Sequence, residues 1–85
     1  MGSKKVKLFV QAGCPRCPAA KNLAENVKKD VNINIFDTQT PEGLAEASYY
    51  QIMSTPAFIV LNDKDEVLNY FPKTPTKNEL FEAIK

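Results

Sequence analysis

The only two cysteines of the chain lie in the run Cys14-Pro15-Arg16-Cys17, between two stretches of different character. An extended apolar stretch ends at Val10, and a stretch with helical spacing begins at Ala19. The N-terminus of a helix carries unpaired backbone N–H groups and a partial positive charge, and both favour an ionised thiol. The run therefore predicts a thiolate at Cys14, with Cys17 close enough to form a disulfide with it and to release it again.

Length and charge restrict the kinds of protein that this chain can be. At 85 residues it has the size of one small domain, and we expect residues 1–85 to form a single domain. The formal net charge of +1 gives no electrostatic reason to expect nucleic acid or a membrane surface as a partner. No apolar run approaches the ~18 residues of a membrane span or the core of a signal peptide. We expect a cytoplasmic protein that is a monomer.

Hydrophobic periodicity and turn residues predict elements in the order β-α-β-α-β-β-α. The predicted strands are residues 4–10, 31–36, 57–61 and 66–71, and the predicted helices are 15–29, 41–51 and a last helix after Thr76. Thr76 and Glu79 have the spacing of a capping box. A helical crossover implies that the first two strands are parallel, and the turn at 62–65 implies an antiparallel hairpin. The expected fold class is α/β, with a four-stranded mixed sheet and helices on both faces.

Several basic and aromatic residues outside the cysteine motif are expected to have structural roles only. The basic cluster Lys4, Lys5 and Lys7 is predicted to be a solvated edge or face of the first strand. Tyr49 and Tyr50, in the second predicted helix, are expected to pack at the core and its rim.

Three segments make the chain resemble the thioredoxin/glutaredoxin superfamily, in particular its small archaeal and bacterial glutaredoxin-like and thioredoxin-like members. They are Phe9 together with the Cys-Pro-Arg-Cys-Pro run 14–18, the second strand at 33–37, and the segment 50–61, which contains Thr55-Pro56. The resemblance covers residues 6–84. It implies a minimal thioredoxin fold.

The resemblance also implies an activity, that of a thiol–disulfide oxidoreductase which reduces or exchanges protein disulfides. Cys14 and Cys17 would be the catalytic residues and would form the redox-active disulfide: Cys14 attacks the substrate disulfide, and Cys17 then attacks Cys14 to release the reduced substrate. The implied partners are disulfide-containing target proteins and an electron donor of the thioredoxin-reductase or glutathione type. No cofactor and no metal are expected.

Substrate contacts follow from the same resemblance. The Thr55–Pro56 bond is expected to be cis and to lie against the disulfide, with Thr55 offering backbone groups to a substrate peptide. Pro15 and Arg16 are predicted to contact the substrate as well. The Arg16 guanidinium would also attract the thiolate, although an ordinary exposed helix position is the alternative interpretation of this residue.

The sequence departs from both branches of the superfamily. Leu8 stands where thioredoxins carry a buried Asp, and the segment 70–73 lacks the Gly-Gly pair that helps glutaredoxins hold glutathione. A protein disulfide is therefore the favoured substrate, and a glutathione-dependent glutaredoxin is the alternative.

Two kinds of non-catalytic protein also fit the cysteine pair. One is a redox-sensing binding module, which would signal by opening its disulfide. The other is a purely structural pair, either a disulfide staple or two ligands of a zinc ion. The chain has no His, and zinc takes four ligands, so only a dimer could complete a zinc site.

Overall fold

The computed structural model of the chain describes residues 4–84, so residues 1–3 and 85 of the predicted domain lie outside the described part. The elements are β1 (Lys5–Val10), α1 (Cys17–Val27), β2 (Asn32–Asp37), α2 (Pro41–Tyr49), β3 (Ala57–Leu61), β4 (Val67–Phe71) and α3 (Lys77–Ala83). Their order is the predicted one. The predicted α/β class is confirmed.

The sheet has the strand order β2-β1-β3-β4. β1 is parallel to β2, with Phe9 opposite Phe36, and antiparallel to β3, with Phe9 opposite Ala57. β3 and β4 form the antiparallel hairpin that the turn residues predicted. Because β3 runs antiparallel to β1, the carboxyl end of β1 lies beside the beginning of β3.

Alternation along β1 and β3 separates two hydrophobic cores, one on each face of the sheet. The first core lies under α1 and α3, and the second lies under α2. The first contains Val6, Leu8, Val10, Cys17, Ala20, Ala24, Val27, Val31, Phe58, Val60 and Leu80. The second contains Phe9, Ala47, Ala57, Ile59 and Leu61, with Phe36, Tyr50 and Ile52 packed against it. No helix within residues 4–84 combines the length and the apolar character needed to cross a membrane.

Helix α1 begins at Cys17, two residues later than the sequence predicted, and Arg16 is its N-cap. Pro18 explains the later start. A helix beginning at Pro15 would place Pro18 past its first turn, where a backbone N–H is needed and the proline ring meets the preceding turn. Beginning at Cys17, the helix holds Pro18 within its first two positions, where a missing N–H costs nothing.

Both of the remaining helices begin as the sequence predicted. The Thr40 hydroxyl caps α2 by accepting a hydrogen bond from the Gly43 N–H at 3.0 Å. The predicted capping box of α3 is present: Thr76 Oγ1 accepts from the Glu79 N–H at 3.1 Å, and Glu79 Oε1 accepts from the Thr76 N–H at 2.8 Å. These caps satisfy backbone donors that helix starts leave unpaired.

Gly43 allows the first turn of α2 to lie directly on the end of β2. A Cβ atom at this position would overlap the backbone carbonyl of Asp37. The same carbonyl accepts a hydrogen bond from the Thr40 hydroxyl at 2.8 Å, so Thr40 and Gly43 both lie against the Asp37 carbonyl. Glycine is required at position 43 because of this close backbone approach.

We expect Gly43→Ala to destabilise the protein by about 1–3 kcal/mol, the usual cost of overpacking, although alanine is the better helix former. Urea unfolding measures the change. Ala45→Gly, at an exposed position of the same helix, is the control and should cost ~1 kcal/mol through backbone entropy alone. A Gly43→Ala variant as stable as the wild type would contradict the close approach.

Candidate active site

The two cysteines lie in a compact turn between β1 and α1, and their sulfurs are joined in a disulfide. The Cα atoms are 5.4 Å apart. The Cys14 N–H donates to the Gln11 carbonyl at 3.2 Å, and the Cys17 N–H donates to the Cys14 carbonyl at 3.3 Å. These two backbone bonds hold the turn in the shape that brings Cys14 and Cys17 together.

The two members of the pair differ in burial. Cys17 is 3% exposed and belongs to the first core, whereas Cys14 is half-buried and packs against the edge of that core. Leu8, which stands where thioredoxins have an acid, is also part of this core. No polar or charged residue is fully buried within residues 4–84. The interior around Cys17 therefore contains no carboxylate that could accept a proton.

Cys14 lies three residues before the first helical residue of α1, instead of directly before it as the sequence predicted. Cys17 is the first helical residue, and the Arg16 side chain makes no capping hydrogen bond. The disulfide nevertheless ties the sulfur of Cys14 to a side chain of the first helical residue. The amide groups that carry the positive end of the helix dipole are at this terminus. Pro15 and Arg16 are both exposed on the turn.

Thr55 and Pro56 lie at the same edge of the sheet as the cysteine turn. The peptide bond between them is cis, and Pro56 is fully buried. Pro56 precedes Ala57, which is paired with Phe9 near the end of β1. Gln11, on the chain leading to Cys14, lines one groove together with Thr55. The structure therefore places the two predicted site segments at the same edge of the sheet.

The groove has a volume of about 270 Å³. Its walls come from the end of β1, the β2–α2 loop, α2 and the segment before Pro56. They are Gln11, Thr38, Gln39, Leu44, Ala47, Ser48, Ile52, Met53, Ser54 and Thr55. None of these side chains carries a charge. Met53 is 90% exposed and Leu44 is also exposed, so the groove offers apolar surface to a partner.

Sequence reasoning did not identify Leu44 and Met53 as site residues. They are distant from the cysteine motif in the chain, and only the packing of α2 on the sheet places them in the groove with Thr55. The available signal was weak: Met53 is an apolar residue in the polar connection before Ser54 and Thr55.

A charged cluster lies on the face of the sheet covered by α2. The Lys7 ammonium forms an ion pair with Glu46 and donates a hydrogen bond to the Tyr50 hydroxyl at 3.3 Å. It lies 5.5 Å from the centre of the Phe36 ring and 4.9 Å from that of Tyr50. Burial alone would lower the pKa of Lys7, but the bonds to Glu46 and Tyr50 outweigh it and raise that pKa.

This cluster corrects the prediction that Lys4, Lys5 and Lys7 form a solvated edge or face. β1 is the second strand of the sheet and has no free edge. The Lys7 side chain is only 15% exposed because α2 covers it. Lys5 is partly exposed and forms an ion pair with Asp65. Tyr50 agrees with expectation, because it packs on the second core. The expectation for Tyr49 is wrong: this residue is 78% exposed and makes an edge-on contact with the Tyr50 ring.

We expect the stabilisation from Lys7 to depend on pH at the alkaline end. The folded-state pKa of Lys7 is raised above the unfolded value of 10.5, so its contribution is complete below pH 10.5 and is lost as pH rises through the folded-state pKa. The unfolding free energy of the wild type, taken relative to that of Lys7→Met, should therefore fall above pH 10.5. Urea unfolding at several pH values measures it; a constant difference would contradict this assignment.

Within residues 4–84 no group of three or more His, Cys, Asp or Glu side chains is placed to hold a metal ion. The zinc interpretation of the cysteine pair would accordingly need ligands from a second chain.

The disulfide turn and the Thr55–Pro56 segment at one edge of a four-stranded mixed sheet define the thioredoxin class of proteins. The family model described as the thioredoxin domain matches residues 4–85, and the chain belongs to this family. It is 33% identical over 87 residues to a protein named thioredoxin from Methanocaldococcus jannaschii, covering 100% of this chain and 96% of that protein. It is 34% identical over 82 residues to a probable thioredoxin from Archaeoglobus fulgidus, covering 94% and 85%.

A solved structure supports the fold separately. A mutant thioredoxin from Halobacterium salinarum superposes with a TM-score of 0.83 over 96% of this chain and 72% of that one, at 18% identity. At this identity the likeness shows the fold alone, and the predicted minimal thioredoxin fold is thereby confirmed. Family membership and the cysteine pair together support an activity of the thiol–disulfide oxidoreductase type.

Proposed function

We propose that the protein reduces disulfides in other proteins through a Cys14/Cys17 dithiol–disulfide couple. One observation carries this proposal: a disulfide joins an accessible cysteine to a buried one, at the sheet edge where an uncharged groove begins. A structural staple has no need of that asymmetry. In this proposal residues 1–85 form one domain that works as a monomer.

The difference in burial assigns the two roles. Cys14 can meet a substrate, so its thiolate attacks one sulfur of the substrate disulfide, forms a mixed disulfide and expels the other sulfur as a thiolate. Cys17 then attacks the Cys14 sulfur, which releases the second substrate sulfur and closes the internal bridge. Two electrons pass from the dithiol to the substrate. A separate electron donor must then supply two electrons to reduce the Cys14–Cys17 disulfide again.

Proton transfer at Cys17 takes place without a buried carboxylate. Leu8 and the other members of the first core are apolar, so the Cys17 proton must pass to water or to a departing substrate thiolate. Cys17 would then attack while the substrate is still bound, when the departing substrate sulfur is close to the Cys17 thiol.

Substrate recognition is proposed to involve Thr55 and Pro56, together with Pro15 and Arg16 in the turn between the two cysteines. Thr55 begins the connection into β3, and its backbone groups would pair with an extended peptide that carries the target cysteine. The groove beside Thr55 would take the uncharged side chains of that peptide. Arg16 is exposed next to the disulfide, a position compatible with attraction to the thiolate.

The electron donor is proposed to be a thioredoxin reductase or glutathione. Coupled assays with each donor separate the two, and turnover of a small glutathione mixed disulfide would favour the glutaredoxin alternative. A redox-sensing module would show partner affinity that differs between its redox states, without turnover.

Cysteine variants test the assigned roles in an insulin-reduction assay with dithiothreitol as the donor. Cys14→Ser should lose the protein-dependent rate, because Cys17 is too buried to meet a substrate. Cys17→Ser, reduced beforehand and then freed of dithiothreitol, should still attack but should remain joined to the substrate, since neither the protein nor the buffer then offers a second thiol to resolve the mixed disulfide. Mass spectrometry of the trapped species identifies the cysteine that carries the substrate.

The two variants control each other, because each removes one sulfur and the same disulfide. Full activity in Cys14→Ser, or substrate trapped on Cys17, would show that the roles are wrong.

A further inference from the structure

Lys7 lies in an unusual place for a lysine, on a strand that is paired on both sides and beneath a helix. Its side chain points to the α2 face, where the neighbouring strand position is occupied by Phe9 of the second core. A lysine ammonium is strongly hydrated and is rarely buried unless it is paired. The protein therefore retains a charge at a strand position that faces the second hydrophobic core, where an apolar side chain would be expected.

The two oxygens that Lys7 meets belong to the last turn of α2 and its C-cap. Glu46 and Tyr50 are four positions apart and so lie on the same side of the helix. The ammonium has three donors, and it reaches both oxygens at once. Both bonds start from the Lys7 ammonium and have a preferred direction, so together they set the rotation of the end of α2 and its position along the helix axis. Contacts between apolar side chains have no preferred direction and would define this position less sharply.

The end of α2 leads directly into the groove and the proposed substrate segment. The Tyr50 N–H donates to the Glu46 carbonyl at 3.1 Å, and Gln51 reverses the chain with φ 57°. The Ile52 N–H then donates to the Ala47 carbonyl at 2.8 Å, and the Ile52 side chain packs on the second core. The next residues, 53–55, line the groove and end at the cis bond.

We propose that Lys7 is a positioning residue: by fixing Glu46 and Tyr50 it sets the place of segment 52–55, and thereby the affinity of the protein for peptide disulfides. This inference rests on the proposed function. Lys7 takes no part in the exchange reaction, because it lies on the face of the sheet opposite to Cys17. Its removal should weaken the binding of a peptide and leave the chemistry of the sulfurs unchanged.

Single-turnover kinetics of the pre-reduced protein test this with two substrates, a disulfide-bridged peptide and 2-hydroxyethyl disulfide, which is too small to fill the groove. In Lys7→Met, which keeps an unbranched side chain, the peptide concentration for half-maximal rate should rise roughly three- to tenfold, as for one lost hydrogen bond. The limiting rate and the rate with the small disulfide should stay within about twofold of the wild type.

Lys5→Met is the matched control. Lys5 lies on the same strand and also forms an ion pair, but its partner Asp65 is in the turn before β4, away from segment 52–55. This variant should resemble the wild type with both substrates. Thermal unfolding of every variant fixes an assay temperature at which each is folded.

Glu46→Gln provides a second route if Lys7→Met folds poorly. It keeps an oxygen acceptor and removes the charge, so we expect a smaller rise in the half-maximal peptide concentration and again no change with the small disulfide. Combining it with Lys7→Met should add little to the effect of Lys7→Met, because the two residues share one interaction.

Three results would overturn the inference: an unchanged peptide dependence in both Lys7→Met and Glu46→Gln, an equal loss with both substrates, or the same effect in Lys5→Met. A wild-type protein that reduces the small disulfide and not the peptide, or neither, would instead refute the proposed function. The failures of the two proposals are therefore distinguishable.

Discussion

Strand β1 is hydrogen-bonded on both sides, parallel to β2 and antiparallel to β3, and the arrangement of the site depends on this pairing. The parallel partner requires a helical crossover, which carries the chain from the end of β1 through the cysteine turn into α1. The antiparallel partner makes β3 begin where β1 ends. As a result the disulfide and the Thr55–Pro56 segment share one edge, although they are far apart in the chain.

The two faces of β1 have different chemistry. Val6, Leu8 and Val10 support an entirely apolar core that buries Cys17 and leaves Cys14 accessible. On the other face, Lys7 and Phe9 meet α2, and the charge of Lys7 is compensated there by Glu46. One face thus determines which cysteine is exposed, and the other supports the helix that forms one wall of the groove.

Much of this arrangement could be predicted from the sequence because its signals are local. The order of the elements follows from periodicity, and the α3 capping box follows from the spacing of Thr76 and Glu79. The cysteine pair predicts the position of the candidate site, and the Thr-Pro step before a buried strand predicts its second segment. The sequence pattern predicts that α1 begins at Pro15, which is two residues too early, because Pro18 decides where the helix can begin.

The remaining features depend on contacts between distant segments. Alternation along β1 shows that Lys7 and Leu8 face opposite ways, but it does not reveal that α2 covers the face of Lys7. Gly43 carries no pattern in the sequence, and its importance appears only when the Asp37 carbonyl is seen next to it. The groove combines Leu44 with Met53, whose proximity depends on how α2 packs on the sheet.

A redox titration of the Cys14/Cys17 pair against a dithiothreitol buffer, with the oxidised fraction read by thiol labelling, tests whether the pair is a working redox couple. We predict a reversible two-electron couple near that of thioredoxins, about −270 mV. A pair that stays oxidised well below about −300 mV would be a structural staple, and a midpoint near −120 mV would be that of an oxidant. Either result would contradict the proposed reductase.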